Sequence, residues 1–581
     1  MSKLEKLQLL NDLSGLAKLL GFTPAGLAYI LYRMPEDQKY RSFEIAKRSG
    51  GKRQIHAPNP ELSLLQKRLK SLLNDCVSEI RKDYPRFWMP SHGFRKERTI
   101  VSNAAVHKRK RYVFNVDIQD FFGSINFGRV RGFFIKDRSF LLNDRVATII
   151  AQIACYKNAL PQGSPCSPVI SNLIGNIIDM RLVAIARDHK CYYSRYADDL
   201  TFSTNERVFP PEVALNIADD DWVPGEALVT EIGKLGFSIN PKKTRMDLSR
   251  SRQTVTGLVV NSKPNINSDF YRVARAMCNE LFQRGYYYRA TKKEELMTNL
   301  RPLEGLLSHI YFVKHRRDRS FEQNKMAKES GGFVPPKAIK ELYRKFLVYK
   351  HFVGNSFPTI VPEGKTDTIY MRAAIKQLAS DHPSLASIEE GEVSVELNFL
   401  HSTQTAKEVL GLGHGSGGQV ALIKQYHSLI KRYGHRPLHH PTIIVCDNDN
   451  GASDIFKAAG KMGVEVSASS TEPFYHLGEN LYLVKVPENG HEPVEMEDFF
   501  PQEWLLKPLD GKHFDRSKLH GDESSFGKAK FAEFVVKPNA QSIDFGKFGD
   551  LLTRLSACIE HYSVIHAQNS SPDAQHAGAA P

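Results

Sequence analysis

Residues 191–204 read CYYSRYADDLTFST, with Asp198 and Asp199 side by side in an aromatic-rich, strand-like run. Adjacent carboxylates repel each other and aspartate is disfavoured in strands, so this placement calls for a positive partner. The flanking Tyr193, Arg195, Leu200 and Phe202 suit a short hairpin that projects both carboxylates from its tip. Asp117, in NVDIQDFF, offers a third carboxylate at the end of another strand. Mg²⁺ takes oxygen ligands and keeps waters and substrate phosphates in its shell. Three carboxylates on two strand ends can hold two such ions about 4 Å apart, as in-line phosphoryl transfer requires. The competing reading is a polar hairpin in which aspartate simply favours the bend.

A second acidic set lies downstream. TIVPEGKTDTIY puts Glu363 at the end of an apolar strand, and IIVCDNDN puts Asp447 and Asp449 at the end of another. The two carboxylates of a D-x-D at a strand end can converge on one ion, with Glu363 as a third ligand or a general base. Acidic loops on an α/β domain are the alternative.

The elements that must position these groups follow from pattern. YVFNVDI (112–118) reads as a strand, LPQGSPCSPVISNLIGNIIDMRL as a loop running into a helix, and residues 4–34 as short amphipathic helices. Residues 205–228 look like an acidic surface insertion, and the second half repeats a strand–turn–helix style. Residues 1–350 carry 59 Lys+Arg against 35 Asp+Glu, a net of +24; residues 351–581 carry 20 against 29, a net of −9. Such a split suggests a nucleic-acid-binding part joined to something else. The seven cysteines are scattered and never paired as C-x-x-C, which excludes a zinc ribbon and suits a reducing compartment. No signal-peptide pattern is found and no apolar run approaches a bilayer-spanning length, so a cytoplasmic protein with no membrane partner is expected.

Asp117 followed by Phe122, then PQGSPCSP, YADD, GFSINPKK and VTGL, in that order, resembles a reverse transcriptase over nearly all of residues 25–320. The resemblance implies an α+β right-hand polymerase of fingers, palm and thumb. Asp117 and Asp198 would be the principal Mg²⁺ ligands, with Asp199 assisting. Phe122 would lie against the sugar of the incoming dNTP and exclude a 2′-hydroxyl. Gln162 and Gly163 would line the nucleotide and template path, the glycine permitting close backbone approach. Arg53 in GGKRQIHAP is the candidate for gripping the triphosphate, and Lys242 or Lys243 for neutralising the pyrophosphate. NAAVH (103–107) and VTG (255–257) look like retron signatures. They imply that Asn103, His107, Val255, Thr256 and Gly257 contact a cognate structured non-coding RNA, from which a branched RNA–DNA hybrid (msDNA) is made. Read without the family, His107 touches RNA or packs; KRKR (108–111) reads as phosphate contact, and YYY (286–288) as core more than stacking. With no ribonuclease H-like acidic set evident, a host ribonuclease H would remove template.

Glu363, Asp447 and Asp449 together resemble a Toprim domain, over roughly 354–510. EGKTD resembles the nuclease-type variant, to which Asp367 and, from MEDFF, Glu497 or Asp498 would add ligands for Mg²⁺ or Mn²⁺. No tyrosine is identifiable as a topoisomerase nucleophile. The resemblances imply a retron reverse transcriptase (1–328), a linker (329–353), an α/β Toprim domain (354–510), a helical extension (511–566) and a disordered tail (567–581). The second part would cut RNA or DNA, restrained by the hybrid, in anti-phage defence; a homo-oligomer is left open. A catalytically silent Toprim module, and a stand-alone reverse transcriptase or intron-type maturase, are the alternatives.

Overall fold

The buried, β-branched and aromatic side chains of YVFNVD and DLTFST drive Tyr112–Asp117 and Asp199–Thr204 together as antiparallel neighbours at the centre of a sheet. Tyr192–Tyr196 and Arg245–Leu248 complete it, in the spatial order Tyr192–Tyr196, Asp199–Thr204, Tyr112–Asp117, Arg245–Leu248. A computed structural model describes residues 1–47, 50–83, 90–218, 221–289, 292–318, 337–400, 403–412, 415–488, 494–518, 522 and 524–569.

The helix Ser167–Asp188 lies in the same core, with Ile170, Ile174, Ile178 and Leu182 packed among Val116, Leu200, Phe202 and Phe237. It is long and apolar enough to cross a membrane, contrary to the expectation that no run approaches that length. Its burial in this core accounts for that composition. Pro60–Asp83 and the short N-terminal helices add Leu16, Leu27, Leu65 and Leu69 to the cluster. The expected acidic insertion is a two-stranded hairpin, Ala214–Ala218 with Asp221–Pro224.

The chain divides into two compact units, one built on Met1–Ser268 with Val313–Asp318 and the other on Asp269–Phe312 and the described residues from 337 onward. This departs from a boundary near 328. Asp269–Phe312 joins the second unit because Phe282 packs against Tyr349 and Tyr433, its carbonyl accepts from the His435 amide at 2.9 Å, and Lys350 pairs with Glu304 at 2.8 Å. The described part of the expected linker is the helix Lys337–Val348 with its continuation Tyr349–Val353, which buries Ile339, Tyr343, Phe346 and Phe352. Within YYY, Tyr287 is buried and Tyr288 exposed.

The second unit holds a five-stranded sheet in the order Asn398–Phe399, Thr359–Val361, Thr442–Cys446, Leu481–Lys485, Tyr475–Gly478; the first four run parallel and the last antiparallel. Parallel strands need both faces covered, and TIIVC and LYLVK are buried throughout. One cover comes from beyond the expected domain end: Phe531, Phe545, Phe548, Leu551 and Leu555 share a core with Ile360, Ile443 and Val484. The helix Gly549–Asn569 includes the first residues of the expected tail; residues 570–581 lie outside the described residues. The described residues of 511–566 are therefore part of the α/β core and not an appendage. Phe548→Ala should lower the stability of the second unit by about 3–5 kcal/mol in full-length denaturation curves, and a chain ending at 510 should leave that unit unfolded.

Candidate active sites

Tyr196 faces Asp199 across the hairpin, so Ala197 and Asp198 form a two-residue turn. Ala197 is buried with φ of 57°, a left-handed conformation that a non-glycine residue adopts only when its surroundings hold it there. Asp117 stands directly opposite Asp199 on the adjacent strand, and the Ile118 amide donates to the Asp198 carbonyl at 3.0 Å. All three carboxylates therefore share one sheet end, as the spacing predicts.

Their charges act on one another. Desolvation, then the charge of Asp117, raises the Asp198 carboxyl above the usual range, with Lys243 and Arg53 opposing. Desolvation followed by Asp198 and Asp117 pushes Asp199 up to about 6. Lys243 Nζ sits 2.8 Å from Asp117 Oδ2, and Asn240 Nδ2 donates to Oδ1 at 3.0 Å. Desolvation disfavours the Lys243 ammonium, but the bond to Asp117 and the surrounding carboxylates prevail and its pKa is raised. Of the two expected lysines, Lys243 enters this site; Lys242 is exposed beside it on the same short turn.

Arg53 lies on an exposed hairpin strand, Lys52–Pro58, close enough for its charge to act on Asp198. The Gln162 carbonyl accepts from the His56 amide on that strand at 2.8 Å. A Cβ on Gly163 would stand 2.7 Å from the His56 carbonyl oxygen, so only glycine permits this approach. Phe122, half-buried, packs edge-on to Phe121 and Phe94.

Asn103 and His107 do not face RNA. Both are fully buried behind the hairpin: His107 bonds Ser203 through Nδ1 and Ser194 through Nε2, each at 2.7 Å, and Ser194 also donates to Asn103 at 2.8 Å. Burial pushes the His107 imidazole down to about 3, so it stays neutral and ties the two hairpin strands together. Val255 is buried as well, whereas Thr256 and Gly257 form a left-handed turn with Gly257 exposed.

In the second unit Glu363 follows Thr359–Val361 and Asp447 follows Thr442–Cys446, its parallel neighbour, so both leave the same sheet edge. Desolvation, then Asp367, Glu363 and Glu497, pushes Asp447 up to about 9, with Lys528 opposing. Desolvation, Asp367 and Asp449 likewise raise Glu363. Desolvation, with Asp367 and Glu495, raises Glu497 against the pull of Lys528, whose Nζ lies 3.1 Å away. Asp498 is turned aside, accepting from the Glu495 amide at 2.9 Å and from Arg516 at 2.6 Å. Five acids thus influence one place: Glu363, Asp367, Asp447, Asp449 and Glu497. Lys528 was not legible as part of this group, because it arrives from 81 residues beyond Asp447 (528 − 447) in a stretch without a motif.

A family model described as reverse transcriptase (RNA-dependent DNA polymerase) matches residues 45–260, the span that holds the first acidic set. The sheet end with its three aspartates thus lies within the reverse transcriptase domain of an RNA-directed DNA polymerase. The retron Ec86 reverse transcriptase of Escherichia coli is 32% identical over 282 residues, covering 48% of this chain and 80% of that protein. The retron Mx162 reverse transcriptase of Myxococcus xanthus is 30% identical over 356 residues, covering 57% and 69%. The chain belongs to the retron reverse transcriptases. The second acidic set lies outside the matched span 45–260.

Among the described residues, no three acidic, imidazole or thiol side chains close around a single point as in a formed metal centre. The donor chemistry nevertheless fits divalent cations at both places: oxygen-only ligands, mutually raised carboxyl pKa values, and a lysine ammonium lying against one member of each set. Asp199 and Asp447 bind protons more tightly in the folded chain than in the unfolded one. Without metal, stability should therefore fall as pH rises, through about 4 to 6 for Asp199 and about 4 to 9 for Asp447. Melting curves in EDTA from pH 5 to 9 should show this slope, Asp447→Asn should flatten its alkaline part, and Mg²⁺ should restore stability most at high pH.

Proposed function

We propose that this chain copies a cognate structured non-coding RNA into a branched RNA–DNA hybrid, msDNA, and carries in its second unit a Toprim-type, metal-dependent nuclease that the hybrid restrains. The observation that carries the second part is the meeting of Glu363, Asp367, Asp447, Asp449 and Glu497 at one edge of a parallel sheet. Five acids gathered on a rigid scaffold, three of them (Glu363, Asp447 and Glu497) raised by burial and by their neighbours' charge, suit hydrolysis of a phosphodiester better than they suit stability.

In the polymerase site, Asp117 and Asp198 would hold Mg²⁺, with Asp199 completing the acidic edge. The metal, when bound, would offset the negative charge of the triphosphate and favour attack by the primer hydroxyl. Arg53 would grip the triphosphate from the exposed hairpin, and Phe122 would exclude a ribose 2′-hydroxyl. Lys243, whose ammonium lies 2.8 Å from Asp117, would neutralise the departing pyrophosphate. In the second site Asp447, Asp449 and Glu497 would hold Mg²⁺ or Mn²⁺, and Glu363 would take a proton from attacking water. Anti-phage defence, with nuclease released when infection disturbs the hybrid, rests on the resemblance alone.

Asp198→Ala should abolish cDNA synthesis, and Asp449→Ala should leave it intact. Purified protein, with and without its RNA–DNA hybrid, is to be incubated with labelled RNA and DNA in Mg²⁺ or Mn²⁺. Cleavage by the hybrid-free wild type, lost in Asp449→Ala, is expected. No cleavage in either state would leave the second unit as a binding module.

A further inference from the structure

Among the described residues, Arg195 is the bulkiest side chain with no exposure to solvent, and its partner Asp179 is equally buried. Removing two charges from water is costly, and apolar side chains of similar volume often stabilise a core as well or better. Stability alone therefore gives no reason for a guanidinium here. Its bonds do.

Nε and Nη2 donate to the two oxygens of Asp179, each at 2.8 Å, which fixes the guanidinium plane on the helix Ser167–Asp188. The remaining nitrogen, Nη1, donates to the Ala197 carbonyl at 3.1 Å and to Asn172 Oδ1 at 3.3 Å. Ala197 is the left-handed residue immediately before Asp198. Asn172 also donates to the Gly93 carbonyl at 2.7 Å, and Gly93 is pressed against the turn: a Cβ there would stand 2.7 Å from the Ala197 nitrogen. The turn that carries Asp198 is thus held from behind by one charge fastened to the core helix. Gly175 on that helix leaves room for it, because a Cβ would stand 2.8 Å from Cζ and Nη2.

We propose that Arg195 is a positioning residue for polymerisation, which, anchored by Asp179, sets the place of Asp198 relative to Asp117 through the Ala197 carbonyl. Two-metal chemistry tolerates little error in ligand position, so the loss should appear as weakened productive metal binding more than as unfolding.

The test uses the full-length protein on a primed RNA template, with Arg195→Lys and Gly175→Ala. Lysine keeps the charge but cannot bond Asp179 with two parallel donors while reaching Ala197. Alanine at 175 suits a helix better than glycine and keeps every charge, yet crowds the guanidinium. In both variants kcat should fall by about thirtyfold or more while KM for dNTP stays within about twofold. The Mg²⁺ concentration for half-maximal rate should rise several-fold, and Gly175→Ala, although the crowding costs it some stability, should remain folded at the assay temperature. An unchanged Mg²⁺ midpoint in Gly175→Ala, or a rate loss matched by a loss of folded protein, would overturn the proposal.

Discussion

The burial of like charges beside one another governs both sites. Each takes carboxylates out of water and sets them close together, so desolvation first and mutual repulsion second hold acids above their ordinary pKa. The fold must supply rigidity to hold the acids together and positive charge to make them tolerable. Rigidity comes from sheet ends, where backbone pairing fixes neighbouring side chains to a few ångströms. Positive charge comes from Lys243 on Asp117 and Lys528 on Glu497.

The two solutions differ in architecture. In the first unit, antiparallel pairing sets Asp117 opposite Asp199, and a strained two-residue turn adds Asp198. In the second unit, parallel strands deliver Glu363 and Asp447 to the same edge, and helices and loops bring Asp367, Glu497 and Lys528 to them. A hairpin tip needs support from behind, which the Arg195–Asp179 pair and the His107–Ser194–Ser203 bonds supply. Parallel strand ends leave a sheet that is already covered on both faces and need less.

The acids themselves were legible in sequence, because a carboxylate that closes an apolar run sits beside a dry core and is costly to keep charged unless a cation meets it. So were the strand Tyr112–Asp117, the YADD hairpin and the helix after PQGSPCSP, where period and turn residues agree. What escaped was the use of residues whose partners are remote. His107 in NAAVH, read beside KRKR as touching RNA or packing, is drawn inward by two serines on the hairpin strands. Lys242 and Lys243 are indistinguishable until a turn points one of them at Asp117. The unit boundary escaped for the same reason: Phe282, Tyr349 and Tyr433 form one aromatic cluster although about 150 residues (433 − 282 = 151) separate the first from the last.

The late entry of Phe531, Phe545, Phe548 and Leu551 into the α/β core has a consequence for the order in which the molecule comes into being on the ribosome. Chains emerge from the N-terminus, and units fold as their residues become available. The first unit, whose last described residues are Val313–Asp318, can close while most of the second is still being made. The sheet that carries Glu363 and Asp447 cannot bury its face until nearly two hundred residues more have followed the first of them (551 − 363 = 188). Each newly made molecule therefore holds its first acidic set before its second exists.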